Sequence, residues 1–266
     1  MAEPGLIGVF DSGLGGLSVL REIVARRPAL STLYVADSGH CPYGNKPADQ
    51  IIARADAITE FLLGQGAQLI VVACNTATIA AVEYLRANYS LPFVGMEPAV
   101  KPAVAATRSG VIGVLATGAA LAGDKLHRLI DRHRGTVRVI TQPCPGLVEQ
   151  VERGDLDGPQ TRALLARYAQ PLVAAGADVL VLGCTHYPFL RATLADLVGP
   201  GVTLLDTGEA VARRVDSLLP AAPALASAGG LQPAARRWYT SGDPGQISAV
   251  GSRLWGAPLA AQPLGG

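Results

Sequence analysis

Leu69-Ile70-Val71-Val72-Ala73-Cys74-Asn75-Thr76 is the stretch on which the fold turns. Five apolar residues in unbroken succession read as a strand buried on both faces, because a half-solvated strand alternates. An Ala-rich run with helical spacing follows at 76–89. The same order returns 110 residues later (69 to 179) as Val179-Leu180-Val181-Leu182-Gly183-Cys184-Thr185-His186. Strands buried on both faces need helices on both sides, so this pair of stretches already implies parallel sheets.

Working outward, short apolar runs recur at 6–10, 33–36, around Val94, and at 111–115, 137–140 and 202–205. Stretches with helical spacing lie between or after them at 14–27, 48–65, 119–134, 157–175, 187–198 and 207–219. Two further internal matches fall in register with the first. Ile7-Gly8-Val9-Phe10-Asp11-Ser12-Gly13 parallels Ile112-Gly113-Val114-Leu115-Ala116-Thr117-Gly118, and Cys41-Pro42 parallels Cys144-Pro145. Their offsets are 105 (7 to 112) and 103 (41 to 144). The expected fold is α/β, with two pseudo-symmetric halves of mostly parallel sheet flanked by helices. Ligands of open α/β sheets sit beyond the carboxyl ends of the strands. Cys74 and Cys184 are both at such an end, so the two thiols are expected to face one shared cleft. At the other end of the chain, 220–230 reads as a low-complexity mobile loop, Arg237–Ser241 as a last strand and 244–255 as a last helix. Residues 261–266 are expected to fray.

Composition removes several function classes. The 266 residues carry 22 Lys+Arg against 21 Asp+Glu, a net charge of +1, so no basic excess exists to hold nucleic acid or an anionic membrane. Mean hydropathy is +0.30, yet no apolar run reaches the 18 or so residues of a membrane span. The start, Met1-Ala2-Glu3-Pro4-Gly5, lacks the basic and apolar regions of a signal peptide, which points to a cytoplasmic protein. The four cysteines, Cys41, Cys74, Cys144 and Cys184, form no C-x-x-C pair, so the spacing indicates neither a metal site nor, in a reducing compartment, a disulfide. Cys41 and Cys144 read as turn-packing residues. His40, His127 and His133 read as surface or structural.

Two thiols on opposite sides of one cleft suggest a specific chemistry. A helix N-terminus lowers a thiol's pKa, and both Cys74 and Cys184 precede an expected helix. Removing a proton from one face of a carbon and returning one to the other face inverts it. That is racemisation by two bases, and it needs no cofactor if the site stabilises the carbanion. The only lysines, Lys46, Lys101 and Lys125, do not follow strands, so none is placed for a Schiff base and no pyridoxal phosphate is expected.

Asp11-Ser12-Gly13-Leu14-Gly15-Gly16, Cys41-Pro42-Tyr43-Gly44, Cys74-Asn75-Thr76-Ala77, Glu97-Pro98-Ala99-Val100-Lys101-Pro102-Ala103 and Gly183-Cys184-Thr185-His186-Tyr187-Pro188 together resemble the glutamate racemases of the Asp/Glu racemase family. The resemblance runs from about residue 7 to 219. It implies two α/β domains, 1–97 plus 208–266 and 98–207, with the active site in the cleft between them. It further implies interconversion of L- and D-glutamate without cofactor or metal, supplying D-glutamate for peptidoglycan. Glutamate is then the partner, with no nucleic acid or membrane, and a homodimer is among the assemblies the family allows. By the same resemblance Cys74 handles the α-proton of D-glutamate and Cys184 that of L-glutamate. Asp11, Ser12, Tyr43, Gly44, Asn75, Thr76, Thr185 and His186 match positions that hold substrate. Asp37 and Glu152 match two further acidic positions.

The residues themselves are compatible with this. A diacid with one ammonium wants N–H and O–H donors and an acceptor such as the Asp11 carboxylate for the amine. Asp11 and His186 are placed to tune one thiol each. The glycine turn at 11–16 lacks the G-x-G-x-x-G spacing of a nucleotide site, and Asp11 would repel a phosphate. One departure stands out: where family members commonly have a second Thr after Ala-Thr, this chain has Ala120, so one substrate contact is expected to be missing. The alternatives are a racemase for aspartate or another amino acid on the same fold, and a two-domain amino-acid-binding protein without catalysis. The latter has no need of two thiols at equivalent strand ends.

Overall fold

In the first half of the chain the apolar runs form β1 (Ile7–Asp11), β2 (Thr32–Ala36), β3 (Leu69–Val72) and β4 (Phe93–Val94), separated by α1 (Leu17–Arg26), α2 (Ala48–Gly64) and α3 (Asn75–Asn88). The second half repeats the scheme. α4 (Val100–Ala106) leads into β5 (Val111–Ala116), α5 (Gly118–Ala122), α6 (Asp124–His133) and β6 (Arg138–Pro143). There follow α7 (Leu147–Glu152), α8 (Pro159–Ala174), β7 (Val179–Leu182), α9 (Arg191–Val198) and β8 (Thr203–Leu205). The chain closes with α10 (Gly208–Leu218), β9 (Arg236–Thr240), α11 (Pro244–Trp255) and β10 (Ala261–Pro263). This computed structural model describes residues 5–220 and 234–265. The low-complexity segment of 220–230 therefore lies outside the described residues except for Pro220.

Two sheets result, with strand orders β10-β9-β2-β1-β3-β4 and β6-β5-β7-β8, and every pair is parallel. The 2-1-3-4 order of the first sheet recurs in the second, with β5 in the place of β1 and β7 in that of β3. All residues of β1, β2, β3 and β7 are buried, as their unbroken apolar runs require. The C-terminal segment returns to the first sheet, because β9 pairs in register with β2 from Thr32↔Arg236 to Ala36↔Thr240. No helix among the described residues is long and apolar enough to cross a membrane.

The structure departs from the sequence reading at several boundaries. The expected helix 119–134 is two, broken at Gly123. The stretch 187–198 begins as a 3-10 turn, Tyr187–Leu190, before α9. Two short helices, α4 and α7, were not signalled by the periodicity, since six or seven residues hold fewer than two turns of it. The expectation that 261–266 fray is overturned for 261–263: β10 pairs with β9, and an edge strand with only one partner carries little apolar signal.

Behind the strand ends, Asp37 anchors the loop that follows β2. It is fully buried and accepts hydrogen bonds from the Tyr43 hydroxyl (2.6 Å), Arg54 Nε (3.0 Å) and Arg54 Nη2 (2.8 Å). Burial by itself pushes this carboxyl's pKa up, but the hydrogen bonds from Arg54, Ser241 and Tyr43 outweigh it, and the net shift is downward. A native pKa below the unfolded one adds stability that is complete above the unfolded value, about 3.9, and is lost as pH falls through the native value. Arg54→Met strands the carboxylate and is expected to cost up to about 3–5 kcal/mol near neutral pH. Urea melts of parent and variant should show that gap closing in acid. A gap unchanged at low pH would mean that packing, not the ion pair, carries the effect.

Candidate active site

The strand order brings four carboxyl ends to one place. Ser12 follows β1, Cys74 follows β3, Thr117 follows β5 and Cys184 follows β7. Cys74 is the N-cap of α3, its sulfur accepting from Ala77 N at 3.4 Å, and Thr117 caps α5 by accepting from Ala120 N at 3.3 Å. Both thiols line one cavity. Ser12, Tyr43, Gly44, Asn75 and Thr76 complete its wall from one half, and Thr117, Thr185 and His186 from the other, with Pro42, Val148 and Gly183 between. Its volume is about 10 Å³, room for roughly one water.

The halves are clasped around it. Thr76 Oγ1 and Thr117 Oγ1 are 3.2 Å apart, Ser18 Oγ donates to Thr185 O at 2.8 Å, and Leu14 N donates to Glu152 Oε1 at 2.6 Å. His186 lies between the two remaining partners of this network. Its Nδ1 is 3.7 Å from Cys184 Sγ and its Nε2 2.7 Å from Glu152 Oε1. Burial lowers the imidazole's pKa, but hydrogen bonds with Cys184, Cys41 and Glu152 outweigh this and raise it well above the usual value. A cation is thus placed to offset a thiolate at Cys184 when one forms. The backbone of Gly15 passes so close that a Cβ there would stand 2.3 Å from His186 Nδ1, so only glycine leaves the ring its place.

Cys74 differs. Burial, and then the nearby Asp11 carboxylate, push its thiol well up, against the pull of the Ala77 N–H. The expectation that the helix start would favour a thiolate is overturned here, because full desolvation and the Asp11 charge outweigh the Ala77 N–H. For Cys184 the premise itself fails, since a turn and a 3-10 segment follow it in place of an α-helix.

Asp11 also moves from its expected place. It is fully buried behind the cavity wall and does not line it. Oδ2 accepts from Gly13 N (3.3 Å) and Gly16 N (2.9 Å), and Oδ1 from the Thr185 hydroxyl (3.4 Å). Burial raises its pKa, and His186 and the Gly16 N–H lower it by less. It is within hydrogen-bonding reach of Cys74, which makes it a tuning group in contact with a thiol. Asn75 Oδ1, in contrast, is a buried acceptor with no hydrogen-bond partner, carried by a side chain on the lining.

The remaining positions fall around this site. Ala120 is 1% exposed in the apolar cluster around α4 to α6; its N–H donates to Thr117 Oγ1, and its side chain is not on the lining of the closed cavity. Cys41 is not mere turn packing: its thiol is within hydrogen-bonding reach of His186, outside the lining. Cys144 does pack in the core, where its thiol donates to Gln142 O at 3.3 Å. Thr117 was missed as a site residue, although its match to Ser12 in the internal repeat marks it. Asp37 stands one layer back, holding the Tyr43 hydroxyl.

Residues 7–215 match the sequence profile described as Asp/Glu/Hydantoin racemase. The chain belongs to that family. Family relatives span nearly all of it. The glutamate racemase of Ectopseudomonas mendocina is 58% identical over 246 residues, 92% of each chain. That of Herpetosiphon aurantiacus is 53% identical over 247 residues, 92% of this chain and 95% of its own. Among solved structures, the Escherichia coli glutamate racemase in complex with L-glutamate and the activator UDP-MurNAc-Ala superposes with a TM-score of 0.85. It is 31% identical and covers 98% of both chains. The chain is therefore an isomerase of the racemase family, with the family's α/β fold.

Proposed function

We propose that the protein interconverts L- and D-glutamate, with Cys74 and Cys184 as the two acid–base groups. The observation that carries this is the pair of thiols at equivalent strand ends, β3 and β7, lining one cavity from opposite halves. The names of the relatives support glutamate as the substrate. Cys184 takes the α-proton of L-glutamate while the His186 cation offsets the thiolate, and Cys74, held as a thiol by its burial, supplies a proton to the opposite face. In the reverse direction Cys74 takes the α-proton of D-glutamate, and there the nearby Asp11 carboxylate acts oppositely to His186: it disfavours the thiolate and so makes it a stronger base. The hydroxyls of Ser12, Thr76, Thr117 and Thr185 and the N–H groups at the strand ends receive the carboxylates, and Asn75 Oδ1 accepts from the ammonium.

A five-carbon diacid needs several times the present cavity. The reading therefore includes a parting of the two domains, 1–97 with 208–266 against 98–207, that breaks the Thr76–Thr117 and Ser18–Thr185 contacts. We place the reaction in the cytoplasm, feeding D-glutamate to peptidoglycan.

Incubating L-glutamate with the purified chain in deuterated water, without added pyridoxal phosphate, is the direct test. Chiral chromatography should show D-glutamate rising to an equal share, with deuterium at its α-carbon by mass spectrometry. Faster inversion of aspartate than of glutamate would assign the site to the other amino acid. Binding of glutamate without α-hydrogen exchange would make the protein a binder and end the proposal.

A further inference from the structure

Cys41 is a half-buried thiol that the proposed reaction does not use, yet it stands beside two polar groups that matter to it. Its sulfur, one carboxylate oxygen of Glu152 and one imidazole nitrogen of His186 all lie within 4.8 Å of one another. The three residues come from separate pieces of chain: the loop between β2 and α2, the last residue of α7, and the turn after β7. Sequence spacing therefore could not have revealed them. Thiolate, imidazole and carboxylate are the donor types of open zinc sites, which take three protein ligands and a water. With Zn–S of about 2.3 Å and Zn–N and Zn–O of about 2.0–2.2 Å, tetrahedral ligand atoms lie roughly 3.3–3.7 Å apart. Glu152 and His186, now 2.7 Å apart, need to spread slightly, and Cys41 needs to close in by at most about an ångström. Neither Cys41 nor Glu152 is sealed from solvent, the Glu152 side chain being 16% exposed.

We propose that Cys41, Glu152 and His186 form a three-ligand site for Zn²⁺, and that filling it stops turnover. Binding releases the thiol proton of Cys41 and a proton of the imidazolium to solvent. His186 then carries a metal in place of a proton. The metal also ties Cys41 of one half to Glu152 and His186 of the other, the halves that the proposed reaction needs to part, so substrate cannot enter and both directions fail. Cation binding rests on the cluster alone, while the loss of turnover rests on the function proposed above.

The test titrates Zn²⁺ into the chelator-free full chain. Calorimetry should find one equivalent bound, racemisation should fall in both directions, and EDTA should restore it. Co²⁺ in its place should give a near-ultraviolet thiolate-to-metal charge-transfer band. Cys41→Ser should lose the band and, measured against its own metal-free rate, need at least about 10-fold more Zn²⁺ for half-inhibition. Cys144→Ser should behave as the parent. Protection of Cys41 from iodoacetamide by Zn²⁺, mapped by mass spectrometry on the parent chain, gives an answer independent of any variant. Unchanged Zn²⁺ affinity in Cys41→Ser, or equal alkylation with and without metal, overturns the site. Binding at Cys41 with turnover intact overturns the inhibition. Binding at Cys41 by a chain that does not racemise glutamate upholds the site and defeats the functional reading alone.

Discussion

Cys74→Ser and Cys184→Ser are each expected to lose about 10²–10⁴-fold in racemisation, the share that a positioned general acid–base group supplies. An alcohol is far too weak an acid to take over from a thiol in the same place, although the side chain is nearly isosteric. The two variants should still differ in what remains. With Cys74 intact, the α-hydrogen of D-glutamate can exchange with solvent deuterium without inversion. With Cys184 intact, the same holds for L-glutamate. Following both enantiomers in deuterated water by mass spectrometry separates exchange from inversion. Either variant racemising at near the parent rate would remove the two-thiol assignment.

Asp11→Asn is expected to lower kcat in both directions while leaving KM within about 2-fold. The carboxylate sits behind the wall against Cys74, and a hydrogen bond to a charged group contributes about 1.5–3 kcal/mol, equivalent to about 10–150-fold in rate. The substitution keeps the shape of the site. The amide oxygen can still accept from Gly13 N and Gly16 N, and the Thr185 hydroxyl can turn to accept from the amide N–H. Because the two enantiomers are equal in free energy, kcat/KM must fall by the same factor for both. A variant that keeps kcat and raises KM would instead put Asp11 on the substrate amine, as the sequence reading expected.

Much of the architecture was legible because its signals are local. A strand buried on both faces must be apolar throughout, so 69–73 and 179–182 announce themselves and each strand end falls where the run stops. A repeat of such runs with matched turns made the two halves visible, and it marked Thr117 through Ser12. Elements with weak local signals were lost: α4 and α7 are too short for a helical period, and β10 is an edge strand with one partner.

By itself, then, the sequence determined the alternation of strands and helices and the placing of Cys74 and Cys184 at equivalent strand ends. Hydrophobic period and turn chemistry act over a few residues, and they specify both. Only the tertiary structure decided that Asp11 lies behind the wall, that Ala120 belongs to an apolar cluster, and that Cys41 and Glu152 converge on His186. It also decided that Cys74 is held as a thiol. Each of these depends on desolvation and on charges brought close by chain segments tens of residues apart or more. A group's pKa answers to its neighbours in space, and those neighbours exist only once the two sheets have formed and closed on each other.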